Sequence, residues 1–111
     1  MIKNFIHGKE VSYSKKTSSV FDPSKGEKIS EVILSDEKDF NELIKSSQIG
    51  FKKWSTFTPL KRSRIISKFK NNIEKNIDHL AKIICTEHGK TFEDAKGSVI
   101  RGLEVVEFAC G

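Results

Sequence analysis

Apolar positions come in short, turn-bounded runs over the first third of the chain. They then recur at three- and four-residue intervals to the end. Asn4-Phe5-Ile6 and residues 11–13 flank the polar His7-Gly8-Lys9-Glu10, which suits a hairpin in which Gly8 is free to take positive φ. Residues 15–19 are polar and read as a loop. Val20 and Phe21 lead into Asp22-Pro23-Ser24-Lys25-Gly26, where proline at the second turn position and a following glycine predict a turn. Residues 29–34 read as a strand.

The remainder predicts four helices. Ser35 is placed to cap the first, with Asp36 and Glu37 in its first turn and a core-facing stripe of Phe40, Leu43, Ile44, Ser47, Phe51 and Trp54. Thr58-Pro59 opens a second helix as N-cap and first helical residue, with a stripe of Arg62, Ile65, Ile66, Phe69 and Ile73 on one face. A third starts at Asn76 or Ile77 and stops at Gly89. Thr91 and Asp94 form a weaker capping box for a fourth, which carries Ala95, Val99, Ile100, Leu103, Val106 and Cys110.

Composition narrows the class. Eight Phe and 13 Ile in 111 residues exclude a wholly disordered chain. The longest apolar runs span three residues, such as Ile83-Ile84-Cys85, far short of the roughly 18–20 that cross a bilayer. Two cysteines make no disulfide framework, and residues 1–10 hold no secretory signal, so a reducing cytosol is expected. The net charge is +5, but lysine supplies 17 of the 20 basic residues and Ile outnumbers Ala 13 to 3. That skew has the look of coding bias and discounts charge as a sign of nucleic-acid binding.

Candidate chemistry is sparse. Cys85 has His88 one helical turn on, which could activate a thiolate, but a buried structural cysteine is the plainer reading. His79, Cys85, His88 and Cys110 lack zinc-module spacing. Seven basic residues and no acidic ones lie in 52–70, interleaved with Trp54, Phe57 and Phe69. Such interleaving can bind single strands, but Trp54 and Phe69 fall on core stripes, leaving the lysines as solvated faces. The seven glycines form neither phosphate-loop pattern. Gly97 and Gly102 lie five apart and could permit close helix packing around Arg101. An arginine in a lysine-rich chain suggests bidentate recognition of carboxylate or phosphate, with an ordinary surface ion pair as the alternative.

These residues also carry a resemblance. Asn4-Phe5-Ile6-His7-Gly8-Lys9, followed by Phe21-Asp22-Pro23-Ser24-Lys25-Gly26-Glu27, resembles the "INGK … NPATGE" opening of aldehyde dehydrogenases. Phe51-Lys52-Lys53-Trp54-Ser55 resembles "AF..WS" in that family, Arg62-Ser63-Arg64-Ile65-Ile66 resembles "RARIL", and Thr86-Glu87-His88-Gly89-Lys90-Thr91 resembles "T.E.GKT". The closing segment from Asp94 to Cys110, with Gly97-Ser98-Val99-Ile100-Arg101-Gly102-Leu103-Glu104-Val105-Val106-Glu107 at its centre, is similar to the CoA-acylating methylmalonate-semialdehyde dehydrogenase branch, which also handles malonate semialdehyde. His7 and Asp22 depart from the usual Asn at both places.

The resemblance covers the whole chain and implies the α/β fold of that family. Residues 1–111 would be the N-terminal part of its NAD-binding domain, with short β-strands over about 1–34, about four α-helices over about 36–110, and the catalytic domain absent. It implies an oxidoreductase that converts the semialdehyde to acetyl-CoA or propanoyl-CoA with loss of CO2. The family's nucleophilic cysteine and its cofactor-binding lysine and glutamate lie downstream, and Cys85 and Cys110 do not match the nucleophile's motif. No catalytic, cofactor-binding or metal residue is therefore expected here. One position carries over: Arg101 is expected to bind the carboxylate of the substrate. NAD and CoA are implied for the full-length family, with none expected to bind this fragment. A homo-oligomeric, cytoplasmic full enzyme is implied, with no nucleic-acid or membrane partner. Malonate and methylmalonate semialdehyde both remain open, and the isolated chain is expected to be inactive. The alternative is a small helical interaction module or split-gene subunit, docking through a fourth helix that would expose Val99, Leu103 and Val106.

Overall fold

In the computed structural model, which describes residues 1–111, the chain first reverses at His7 and Gly8, whose φ angles are +54° and +72°. Two consecutive positive φ values make the tight turn that matches strand twist. The hairpin is consequently shorter than the sequence suggests: β1 (Asn4–Ile6) pairs antiparallel with β2 (Lys9–Val11), with Asn4 opposite Val11 and Ile6 opposite Lys9. Lys9 and Glu10, expected in the turn, lie in the ladder.

A second two-stranded sheet joins β3 (Thr17–Asp22) to β4 (Glu27–Ile33). The polar Thr17, Ser18 and Ser19, expected in a loop, are strand residues. Their exposed side chains give no hydrophobic alternation, and backbone pairing alone makes the strand. The turn between is as expected: Asp22 Oδ1 accepts the Ser24 amide at 2.8 Å, and Gly26 sits at φ +71°.

By contact the chain divides into two units, one of residues 1–21 and 26–56, the other of 22–25 and 57–111. In the first, Ile2 bridges β4 in parallel at Val32, the Ile33 amide donating to Ile2 O at 3.0 Å. The Leu34 amide donates to Lys16 O at 2.9 Å. Helix α1 (Glu37–Trp54) packs on β1. Its N-cap is Asp36, not Ser35: Asp36 Oδ1 accepts the amides of Lys38 and Asp39, while Asp39 Oδ2 accepts the Asp36 amide at 3.1 Å. A carboxylate in this register closes a reciprocal capping box. Ser35 instead donates its hydroxyl to Asn4 Oδ1 at 3.0 Å.

Asp39 is the deepest polar group of this unit, 2% exposed. Its carboxylate also accepts the Tyr13 amide at 2.9 Å, the Ser14 amide at 3.0 Å and Asn4 Nδ2 at 3.0 Å. The Tyr13 amide, followed by those of Asp36 and Ser14 and the Asn4 side chain, holds its pKa at about 2 against the ordinary 3.8; burial opposes the shift. The stripe on α1 does not form the expected core. Phe40 is 58% and Phe51 68% exposed, and Leu43 and Ile44 are exposed too.

The second unit holds three helices. Thr58 caps α2 (Pro59–Lys75), accepting the Lys61 amide at 3.2 Å, with Pro59 at the first position. Helix α3 (Ile77–His88) ends at Gly89, whose φ is +78° and whose amide donates to Cys85 O at 2.9 Å. Thr91 caps α4 (Phe92–Ala109) by accepting the Asp94 amide. Helix α4 packs against both α3 and α2. Ala81 on α3 and Ala95 on α4 are fully buried. Ion pairs stitch the helices: Lys96 to Asp78 at 3.0 Å, and Lys70 to Glu74 at 3.0 Å and Glu107 at 3.6 Å. Ser63 donates to Cys110 O at 2.5 Å, tying α2 to the end of α4.

Three expectations change here. Val99, Leu103 and Val106 are half-buried; the exposed large apolar residues of α4 are Ile100, Val105 and Phe108, at 39%, 69% and 86%. Helix α4 turns Val99, Leu103 and Val106 toward its neighbours and leaves Ile100, which the apolar pattern placed with them, outside beside Val105 and Phe108. Phe69, expected in the core, is 54% exposed, because the rest of α2 turns its half-buried Ile66, Ile73 and Lys70 inward. Gly102 marks no close approach, since a Cβ there would meet nothing within 4 Å.

Two outcomes test this fold. Asp39 has a depressed folded-state pKa, so its contribution is complete above pH 3.8 and drains away as pH falls from 3.8 to about 2. Hydrogen exchange at the Tyr13 and Ser14 amides is expected to accelerate over that window beyond the intrinsic rate, and Asp39→Asn is expected to remove the pH dependence. At Gly89 a Cβ would lie 2.7 Å from Pro23 Cγ. Gly89→Ala is expected to cost about 1–2 kcal/mol from the left-handed backbone alone, with the clash adding to it, read as a lower urea midpoint.

Candidate functional site

Gly89 turns the chain out of α3, which sets Lys90 directly ahead of the Thr91 cap and beside the first two turns of α4. Ser98 lies on the same side of α4. Its hydroxyl donates to Asp94 O at 3.1 Å, one turn back, and so has its lone pairs free to accept. Lys90 Nζ donates to Ser98 Oγ at 2.9 Å, and Arg101 Nη2 donates to the same oxygen at 3.2 Å. Two cationic groups thus meet on one neutral oxygen. Arg101 is exposed, whereas Lys90 and Ser98 are half-buried.

The ion pairs of the chain involve Lys28, Lys45, Lys70 and Lys96, and none involves Lys90 or Arg101. Each spends one donor on Ser98 and keeps the rest, two on the ammonium and four on the guanidinium. Chemically this is a receptor for an anion: a planar fork for a carboxylate, with a second positive charge beside it.

Arg101 stands where the sequence directs attention. Lys90 and Ser98 are additions: both lie in stretches that resemble family segments, but nothing in their spacing announces that the three side chains converge. The other candidates do not assemble. Cys85 and Cys110 are free, half-buried thiols, Cys110 donating weakly to Val106 O. Cys85 makes no hydrogen bond with His88, which is exposed. No three His, Cys, Asp or Glu side chains gather as a metal-holding group. No helix is long and apolar enough to cross a membrane. In the first unit a recess of about 240 Å³ lies beside Phe5, Phe40 and Leu43. Its polar members Asn4, Ser35 and Asp39 are already bonded to one another or to backbone, so it offers apolar surface and no chemistry.

Residues 11–111 match the sequence model of the Aldehyde dehydrogenase family. The chain is 38% identical over 109 residues to the malonate-semialdehyde dehydrogenase of Pseudomonas aeruginosa, covering 98% of this chain and 22% of that protein. It resembles the crystal structure of the methylmalonate-semialdehyde dehydrogenase of Oceanimonas doudoroffii with a TM-score of 0.95 at 36% identity, covering 99% of this chain and 22% of that one. A Sinorhizobium meliloti protein carrying the same enzyme name, crystallised with NAD, matches with a TM-score of 0.93 at 39% identity over 96% of this chain and 22% of its own. The chain therefore spans about a fifth of the length of the relatives it matches.

Proposed function

The chain belongs to the aldehyde dehydrogenase family, and we propose that it is the N-terminal part of an NAD-dependent, CoA-acylating dehydrogenase of malonate or methylmalonate semialdehyde, with Arg101 as the anchor for the substrate carboxylate. The observation that carries this reading is the state of Arg101, an exposed guanidinium without a carboxylate partner. It sits in the segment that resembles the semialdehyde branch. A semialdehyde of this kind carries a carboxylate at one end and the reacting carbonyl at the other. Two parallel hydrogen bonds from Arg101 to the carboxylate would fix the position and direction of the aldehyde.

The rest of the chemistry is assigned to residues outside this chain. NAD would supply the hydride acceptor and would be held by residues outside this chain. The residues present do not fit its pyrophosphate: α1, α3 and α4 carry acidic side chains in their first turns, which repel phosphate. The first turn of α2 has Pro59, which lacks an amide hydrogen, and its Lys61 amide is taken by Thr58. Neither cysteine matches the family's nucleophile. The exposed Phe40, Phe51, Phe69 and Phe108 would be covered by the remainder of the polypeptide. A second reading, a helical module docking on a partner, is favoured by Val105 and Phe108 alone.

The intact mass of the natural product, captured with an antibody to residues 36–90, separates the two. A mass of several domains supports the dehydrogenase. A mass of 12.6 kDa supports the docking module. The purified 111-residue chain is expected to give no NAD reduction with malonate semialdehyde and CoA, and activity from it would overturn the assignment of the chemistry elsewhere. In a multidomain product, Arg101→Lys is expected to raise KM for the semialdehyde roughly 10- to 100-fold, the loss of a charged bidentate contact, and to leave KM for an uncharged aldehyde such as propanal unchanged. Equal effects on both aldehydes would remove Arg101 from the carboxylate.

A further inference from the structure

We propose that Lys90 is the second cation of the carboxylate site and that Ser98 sets its distance from Arg101, so that one carboxylate is held between an ammonium and a guanidinium. The inference rests on the reading of Arg101 given above and adds two residues to it. It starts from an electrostatic oddity. Lys90 Nζ and Arg101 Nη2 lie 2.9 and 3.2 Å from the same oxygen, which brings two positive charges close enough to repel. Like charges are ordinarily separated or interleaved with carboxylates, and here no carboxylate pairs with either. The repulsion is tolerated because Ser98 Oγ presents its lone pairs to both, its proton being committed to Asp94 O. A neutral acceptor fixes the geometry without discharging it. The positive field therefore stays available to an incoming anion.

The two cations contribute differently. The guanidinium is a rigid fork that matches the plane of a carboxylate. The ammonium is a compact charge on a flexible stem, here half-buried and steadied by Ser98. Lys90 comes from the loop before the Thr91 cap and Arg101 from the third turn of α4, so the site is assembled by the helix start and not by one helical face. An anion bound here would join the loop to the helix.

The test uses the 111-residue chain, 15N-labelled and titrated with malonate as the probe, with the backbone amide signal of position 101, present in every variant, as the reporter. Malonate is expected to shift that signal saturably. Lys90→Met and Lys90→Gln are each expected to weaken binding about two- to fivefold, the worth of one solvent-facing charge, and to flatten its dependence on NaCl. Lys90→Arg is expected to restore both, which a merely structural loss would not allow. Ser98→Ala is expected to weaken binding while thermal melting of the chain holds, because only the spacing of the cations is lost. If the Lys90 variants bind malonate as the parent does while Arg101→Lys does not, this inference falls and the reading of Arg101 stands. If Arg101→Lys binds normally, or if malonate never moves the Arg101 signal, both fall together.

Discussion

A carboxylate with four hydrogen-bond donors around it is the constraint on which the first unit depends. Asp39 takes the Tyr13, Ser14 and Asp36 amides and the Asn4 side chain, and it is almost wholly removed from water. Those donors come from β1, from the segment after β2 and from the cap of α1 itself. The apolar share of this unit's core is small: Ile6 and Ile33 are its buried hydrophobic residues. Where so little apolar surface is removed from water, the directional bonds of one ionised group determine how strand, loop and helix meet. An apolar residue of equal size at that position would leave three backbone amides without partners.

The second unit uses the same economy in a different form. Its fully buried hydrophobic residues are two alanines, so α3 and α4 gain little from large interdigitating side chains. Caps and charges contribute the definition instead. Thr58 and Thr91 satisfy helix starts, Gly89 closes α3 in the left-handed conformation, and Lys96–Asp78 and Lys70–Glu107 link helices at their surfaces. Pairs this exposed contribute little stability, because solvent screens them. They orient the helices more than they stabilise them. The exposed phenylalanines are the counterpart of that small core.

The helix boundaries were legible because caps are written in local sequence. Thr58-Pro59, Asn76, Gly89 and Thr91 mark the starts and stops of α2, α3 and α4 where the structure has them. The first cap was misread by one residue because Ser35 and Asp36 are both good caps. The choice fell to Asp39, which can answer only one of them reciprocally. The start of β3 was invisible because Thr17, Ser18 and Ser19 pair through backbone alone. The apolar stripes located the helices correctly and their burial incorrectly, since periodicity reports which face is apolar and not whether anything covers it. Arg101 was marked in the sequence by its rarity among lysines and by its place in a family-like segment. Lys90 and Ser98 were not, because their meeting depends on the turn at Gly89 and on side-chain direction.

That direction also accounts for why Arg101 remains unpaired. Glu104 lies three residues C-terminal to Arg101 and Ser98 three residues N-terminal, so spacing alone would let the guanidinium reach either. Long side chains on a helix lean toward its N-terminus, which turns Arg101 away from the carboxylate and toward the hydroxyl. Gly97 completes the effect. Arg101 Nη1 lies 3.7 Å from where a Cβ on Gly97 would be, so the guanidinium rests along ground that a larger side chain would contest. Helix polarity and a missing side chain thus bring Arg101 onto Ser98, where Lys90 already donates. An arginine drawn instead to Glu104 would be a neutralised surface pair. The same residue drawn to Ser98 keeps its charge and its fork, which is the condition for it to recognise a carboxylate from outside the chain.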